Sequence, residues 1–135
     1  MAVTRDTFRD GKLLQELIDK YHNDMTEQNT ASVYTCLRDS IVYIPVSRRD
    51  GKMQPDVLSN GKDQLFAAFS DIENAGKYED KEALVQKPFM DLVKEAQRHN
   101  NIAGIVVDPF DLPFILPGCY YEIISDIPSV FDIEK

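Results

Sequence analysis

Apolar positions change their period several times along the chain, and each change marks an element. Leu13, Leu14, Leu17, Ile18, Tyr21 and Met25 recur at helical spacing, so an amphipathic helix is expected there with Asp10 as its cap. A polar break over residues 26–30 leads to Val33, Tyr34 and Leu37, a second helix capped by Asn29 or Thr30 and ended by Arg38-Asp39-Ser40. Ile41-Val42-Tyr43-Ile44-Pro45-Val46 is short, β-branched and aromatic, which predicts a buried strand. Pro45 cannot donate to a ladder, so an edge position or a bulge is expected near that strand's end. Asp50-Gly51 and Asn60-Gly61 have hairpin-turn chemistry. With residues 53–59 and 64–70 as strands, they make an antiparallel meander.

The second half alternates both periods. Residues 71–77 read as a short helix capped by Ser70 or Asp71, and Ala83-Leu84-Val85 as a short strand. Pro88 opens a helix at a position that needs no N–H, with Phe89, Leu92, Val93 and Ala96 as its stripe. Residues 104–107 and 113–116 read as strands on either side of an Asp108-Pro109 turn. Tyr120, Ile123, Ile124 and Ile127 mark a last helix stopped by Pro128, after which the final residues are expected to fray. Strands cluster and helices surround them, without repeat or linker. The expected class is α+β, with a mixed, mainly antiparallel sheet of about four to six strands.

Composition narrows the function. The 135 residues suit one domain. The longest apolar stretch, residues 102–107, falls far short of the ~18 residues of a membrane span, so no membrane partner is expected. The net charge is −8, which argues against nucleic acid. Residues 1–67 carry 9 basic and 10 acidic side chains, whereas residues 68–135 carry 6 and 13. The acidity thus sits in the second half, as a solvated surface or a docking face for a basic partner. Cys36 and Cys119 make no disulfide framework. The start Met1-Ala2-Val3-Thr4-Arg5-Asp6 lacks a signal peptide's apolar core, and a cytoplasmic location is expected.

Most compact catalytic motifs are excluded. The glycines at 11, 51, 61, 76, 104 and 118 are all at least ten residues apart, which removes phosphate loops and nucleophile elbows. His22 and His99 each precede Asn, and no C-x-x-C occurs, so neither metal nor cofactor is expected. Cys36 reads as a buried structural thiol, rather than a nucleophile with His99 as base. Cys119, near the start of the last helix, is the better candidate for reactivity. Pro55-Asp56 followed by Glu79-Asp80-Lys81 has the loose spacing of a metal-dependent nuclease, but in a polar context that argues for coincidence. Asp108 and Asp111 place two carboxylates after a strand, and Arg48, Arg49 and Lys52 form a basic hairpin tip.

Pro45; Asn60-Gly61 through Phe66, Phe69, Ser70 and Asp71; Phe89, Asp91 and Leu92; then Gly104, Ile105, Asp108, Pro109, Phe114 and Leu116 follow one another in an order that resembles the N-terminal domain of the SseB (enhanced serine sensitivity) family. The resemblance covers roughly residues 29–127. The stretch Ala67-Ala68-Phe69-Ser70-Asp71 departs from the family's usual Pro-Val-Phe-Thr-Ser, and Asp108 stands where the family commonly has Asn. Residues 1–28 read as an N-terminal helical extension packed on an SseB-like domain at 29–135. The resemblance implies a bacterial cytoplasmic group without an established activity, and it carries over no catalytic residue.

The expected function is therefore a non-catalytic protein-interaction or regulatory module with a protein partner. Its candidate binding surface comprises Arg48, Arg49, Lys52, Phe69, Ser70, Asp71, Asp108 and Asp111. The alternative is an enzyme or small-ligand domain whose site is assembled where the Phe69-Ser70-Asp71 strand end meets the Asp108-Asp111 loop. The stripe of the first helix is expected to pack on the domain's own sheet, with homo-oligomerisation through it as the alternative.

Overall fold

A computed structural model of the chain describes residues 5–79 and 81–131. Asp80 and the acidic tail residues Asp132 and Glu134 lie outside them, as do the first four residues and the expected fraying at the very end.

A single 3-10 turn, Arg5–Phe8, precedes α1 (Lys12–Asn23). Asp10 contributes at the start of α1, its Oδ1 accepting from Lys12 N at 3.0 Å, but the cap position itself belongs to Gly11. Met25 lies beyond the helix and is exposed, so the stripe is shorter than its spacing predicts. α2 (Glu27–Asp39) starts earlier than expected, because Thr26 caps it by accepting from Asn29 N at 3.1 Å. Its first turn is polar, which is why apolar periodicity alone misses it.

β1 (Ile41–Arg49), β2 (Lys52–Pro55) and β5 (Ala83–Pro88) form a three-stranded antiparallel sheet in the order β2-β1-β5. β3 (Val57–Ser59), β4 (Gln64–Ala68), β6 (Gly104–Val107) and β7 (Phe114–Pro117) form a second sheet in that order, in which only β4–β6 is parallel. α3 (Ile72–Gly76), α4 (Phe89–Gln97) and α5 (Tyr121–Asp126) complete the α+β architecture. Both hairpin turns form as their Gly pairs predict. The segment 53–59 is nevertheless two strands, because Asp56 turns inward between them and sends β2 and β3 to different sheets.

Pro45 is not at an edge, because β1 is the central strand of its sheet. Tyr43 exchanges two backbone hydrogen bonds with Phe69, at 2.9 and 2.8 Å, which tie the two sheets together. The Pro45 carbonyl accepts from Asp56 N, and the β2 ladder begins at Val46. The missing N–H thus falls where the neighbour of β1 changes from β4 to β2, and no ladder bond is lost.

Side chains of β4 and β6 alternate between two cores. Phe66, Ala68, Ile105 and Val107 face the main core with Leu14, Ile18, Val33, Leu37 and the α4 stripe Phe89, Leu92, Val93 and Ala96. Leu65, Ala67, Phe69 and Val106 face a smaller cluster closed by Ala75 of α3. Burial on both faces explains why residues 104–107 are a continuous apolar run.

Candidate functional site

The parallel pairing of β4 and β6 brings their C-terminal ends side by side, and with them the two segments that the sequence places at a site. Asp108, only 3% exposed, accepts from Ser70 N at 2.8 Å with Oδ1 and from Ser70 Oγ at 2.6 Å with Oδ2. From α1, Gln15 Nε2 donates to Ser70 Oγ at 2.7 Å and to Asp71 Oδ2 at 2.8 Å. Asp71 also caps α3, its Oδ1 accepting from Asn74 N at 2.8 Å. Gly11, at φ +81°, lets the chain pass so close to Ser70 that a Cβ there would lie 2.2 Å from the Ser70 carbonyl oxygen. Gln15 and Gly11 were not legible as site residues, because their partners lie some 55 positions away.

Asp108 adopts φ +52°. This is the left-handed region, which Asp and Asn tolerate better than most residues. Burial raises the Asp108 carboxyl above its ordinary range; the two Ser70 bonds oppose that, while Asp71 and Asp111 reinforce it. The Ser70 hydroxyl has its proton on Asp108 and accepts from Gln15, with no imidazole or amine beside it. The arrangement suits holding α1 against the strand ends rather than nucleophilic chemistry.

Asp111 borders this network, its N–H donating to the Asp108 carbonyl at 3.1 Å, and the other sequence candidates lie outside it. Phe69 is fully buried and stacks with Tyr78 and Phe110, whose ring centroids are 6.3 and 6.4 Å away. Asp111 is half exposed and 4.0 Å from Lys77 Nζ. Arg48, Arg49 and Lys52 are exposed on the β1–β2 hairpin, where Arg48 N donates to Glu82 Oε2 at 2.8 Å and the Arg49 guanidinium donates to the Pro55 carbonyl. Arg49 lines a groove with Gln54, Phe66 and His99, separate from the cavity of about 200 Å³ edged by Gln15, Asp108 and Asp111.

Cys36 is buried, its Sγ 3.7 Å from Ser40 Oγ, and burial pushes its thiol up to about 11. His99 is engaged by Glu95 at 2.9 Å. Cys119 is exposed. Asp56 is buried between β2 and β3 while Glu79 is exposed, and no His, Cys, Asp or Glu cluster among the described residues could hold a metal.

A second feature was not anticipated. In α5 the buried face is Tyr121 and Ile124, whereas Ile123 and, in the 3-10 turn Gly118–Tyr120 just before the helix, Tyr120 are 49% and 40% exposed. With Ile115 of β7, 46% exposed, they edge a groove of about 330 Å³ that Tyr21, Tyr34, Phe114 and Pro117 also line. Its rings interlock: Tyr21 and Tyr34 meet Phe114 edge-on at 5.2 and 5.9 Å, and Tyr34 lies 6.1 Å from Tyr120. Burial, then Tyr120, Tyr21 and Cys119 nearby, raises the Tyr34 phenol above its ordinary range. The only sequence signal was a last helix apolar on more than one face.

These features define an α+β domain with a structural polar clamp and an exposed aromatic groove. The SseB protein N-terminal domain family matches residues 14–118, and the chain belongs to that family. The match begins within α1 and ends just after β7. No match is found among curated proteins or solved structures. Among the described residues, no helix is long and apolar enough to cross a membrane.

Proposed function

We propose that this SseB-family domain is a non-catalytic protein-interaction or regulatory module. The observation that carries this reading is a contrast in how side chains are used. Ser70, Asp71 and Asp108 are held in hydrogen bonds within the fold, while Ile115, Tyr120 and Ile123 are left exposed together around one groove. Contiguous exposed apolar side chains mark protein-interaction surfaces or ligand-binding grooves.

The alternative, an enzyme or small-ligand domain with scattered site residues at the strand ends, draws on the meeting of Ser70 with Asp108. The full use of the Ser70 hydroxyl weighs against it. The test is isolation of a partner with the tagged chain from its native host, followed by reconstitution of the complex from purified components. A stoichiometric complex by calorimetry is the expected result. Failure of every recovered protein to form one, together with ligand-induced stabilisation that Ser70→Ala abolishes, would transfer the function to the strand ends.

A further inference from the structure

We infer that the groove between α1, α2, β7 and α5 binds a proline-rich segment in the polyproline II conformation, with a basic residue beside it. The inference rests on the interaction reading above and names the class of partner.

The first ground is the lining. Tyr21 and Tyr34 meet Phe114 edge-on, Tyr120 is tilted at 50° to Tyr34, and Ile115, Pro117 and Ile123 complete the lining. Rigid aromatic walls accept the flat rings of prolines, and a polyproline II segment arrives already ordered, so little conformational entropy is lost on docking. Its carbonyls make no internal hydrogen bonds and are free to accept from tyrosine hydroxyls.

The second ground is what the adjoining edge refuses. Gly118 N donates to Ala103 O, and the alternation of the ladder then turns Phe114 and Leu116 toward β6 and leaves Ile115 and Pro117 facing outward. Pro117 has no N–H, and the neighbouring Pro113 carbonyl already accepts from His22 Nε2 at 2.7 Å. Within β7, Ile115 alone offers an outward N–H, so an added strand would find almost no ladder. A ligand that asks for one or two hydrogen bonds fits where a strand does not.

The third ground is charge. Glu122 and Asp126 are exposed on α5 one turn apart, and Asp126 lies three residues on from Ile123. Arg38 of α2 is engaged by the Ile127 carbonyl at 2.8 Å and lies 3.8 Å from Asp39. The lining of the groove is uncharged, and α5 beside it carries Glu122 and Asp126 but no basic residue, which favours a basic residue flanking the prolines.

The experiment is a fluorescence anisotropy titration of the full chain against a fluorescein-labelled proline-rich peptide with one terminal arginine. Saturable binding is expected. It should weaken at least about tenfold in Tyr120→Ala and in Ile123→Asp, the equivalent of about 1.4 kcal/mol. It should weaken severalfold when the arginine is replaced by glutamate, and not at all in Phe110→Ala, an exposed position outside the groove lining. Both groove positions are exposed, and thermal melts establish that the variants fold.

No saturable binding, or binding that both groove variants leave unchanged, overturns the inference. A wild-type dimer by sedimentation that Ile123→Asp makes monomeric overturns it as well, assigning the groove to a second copy. A purified partner that binds Ile123→Asp at full strength removes the groove from the interface while leaving the interaction reading intact.

Discussion

The strand ends around Asp108 and the groove beside β7 belong to the same four-stranded sheet, yet one is closed by its own side chains and the other is left open. At the strand ends, polar groups from α1, β4 and the β6–β7 loop satisfy one another, so water and ligands are offered little. In the groove, large apolar side chains stay exposed although the core lies just behind them. Buried polarity thus serves stability in the first region, and exposed apolarity is available for recognition in the second.

Substitutions can break this contrast. Gly11→Ala should have the largest effect, because it forces an L side chain to positive φ and drives its Cβ into the Ser70 carbonyl. A loss of about 3 kcal/mol or more in urea-unfolding free energy is expected. Ser70→Ala leaves Asp108 buried without its hydroxyl donor and removes one of the two acceptors of Gln15, and should cost about 2–3 kcal/mol by the same measurement.

Asp108→Asn tests the electrostatic side. A carboxyl whose pKa is raised by folding favours the native state most in acid, below its unfolded value. That contribution is lost as pH rises through the folded value. The amide removes it. Relative to wild type, the variant should therefore gain stability from pH 4 toward pH 7, staying within about 1 kcal/mol of wild type at neutral pH. Parallel pH profiles for the two proteins would show that Asp108 does not titrate differently in the fold.

Ile123→Asp should change stability by no more than about 0.5 kcal/mol, since the position is half exposed, while it removes binding at the groove. The smallest effect belongs to Lys77→Ala, whose 4.0 Å ion pair with Asp111 is largely solvated, with a change near zero.

Much of the fold was legible before any coordinates, and the misses have specific causes. The α4 stripe Phe89, Leu92, Val93 and Ala96 is buried throughout, because a helix with one apolar face has a single way to meet a core. Both Gly-containing hairpin turns form for an equally local reason. At Asp56, however, an inward carboxylate splits an apparent strand between two sheets. At Pro45, a residue suited to an edge occupies the centre because the neighbouring strand changes there. The approach of the Phe69-Ser70-Asp71 strand end to the Asp108-Asp111 loop entered only with the alternative reading of the sequence, and neither the Ser70–Asp108 bonds nor the Gln15 clamp was legible there. Around α5 the identities Tyr120, Ile123 and Ile124 announced a helix without saying which face turns inward.

What the sequence determined by itself was local: periodicity, turn chemistry, the absence of spaced catalytic glycines, and the ordered residues that mark the SseB family. These depend on neighbours within a few positions. Tertiary structure alone decided which polar groups are satisfied and which apolar ones are stranded in water. That balance is set by contacts across 38 positions for Ser70 and Asp108, 55 for Gln15 and Ser70, and 91 for His22 and Pro113. No local pattern records who will stand opposite whom once the chain has closed on its core.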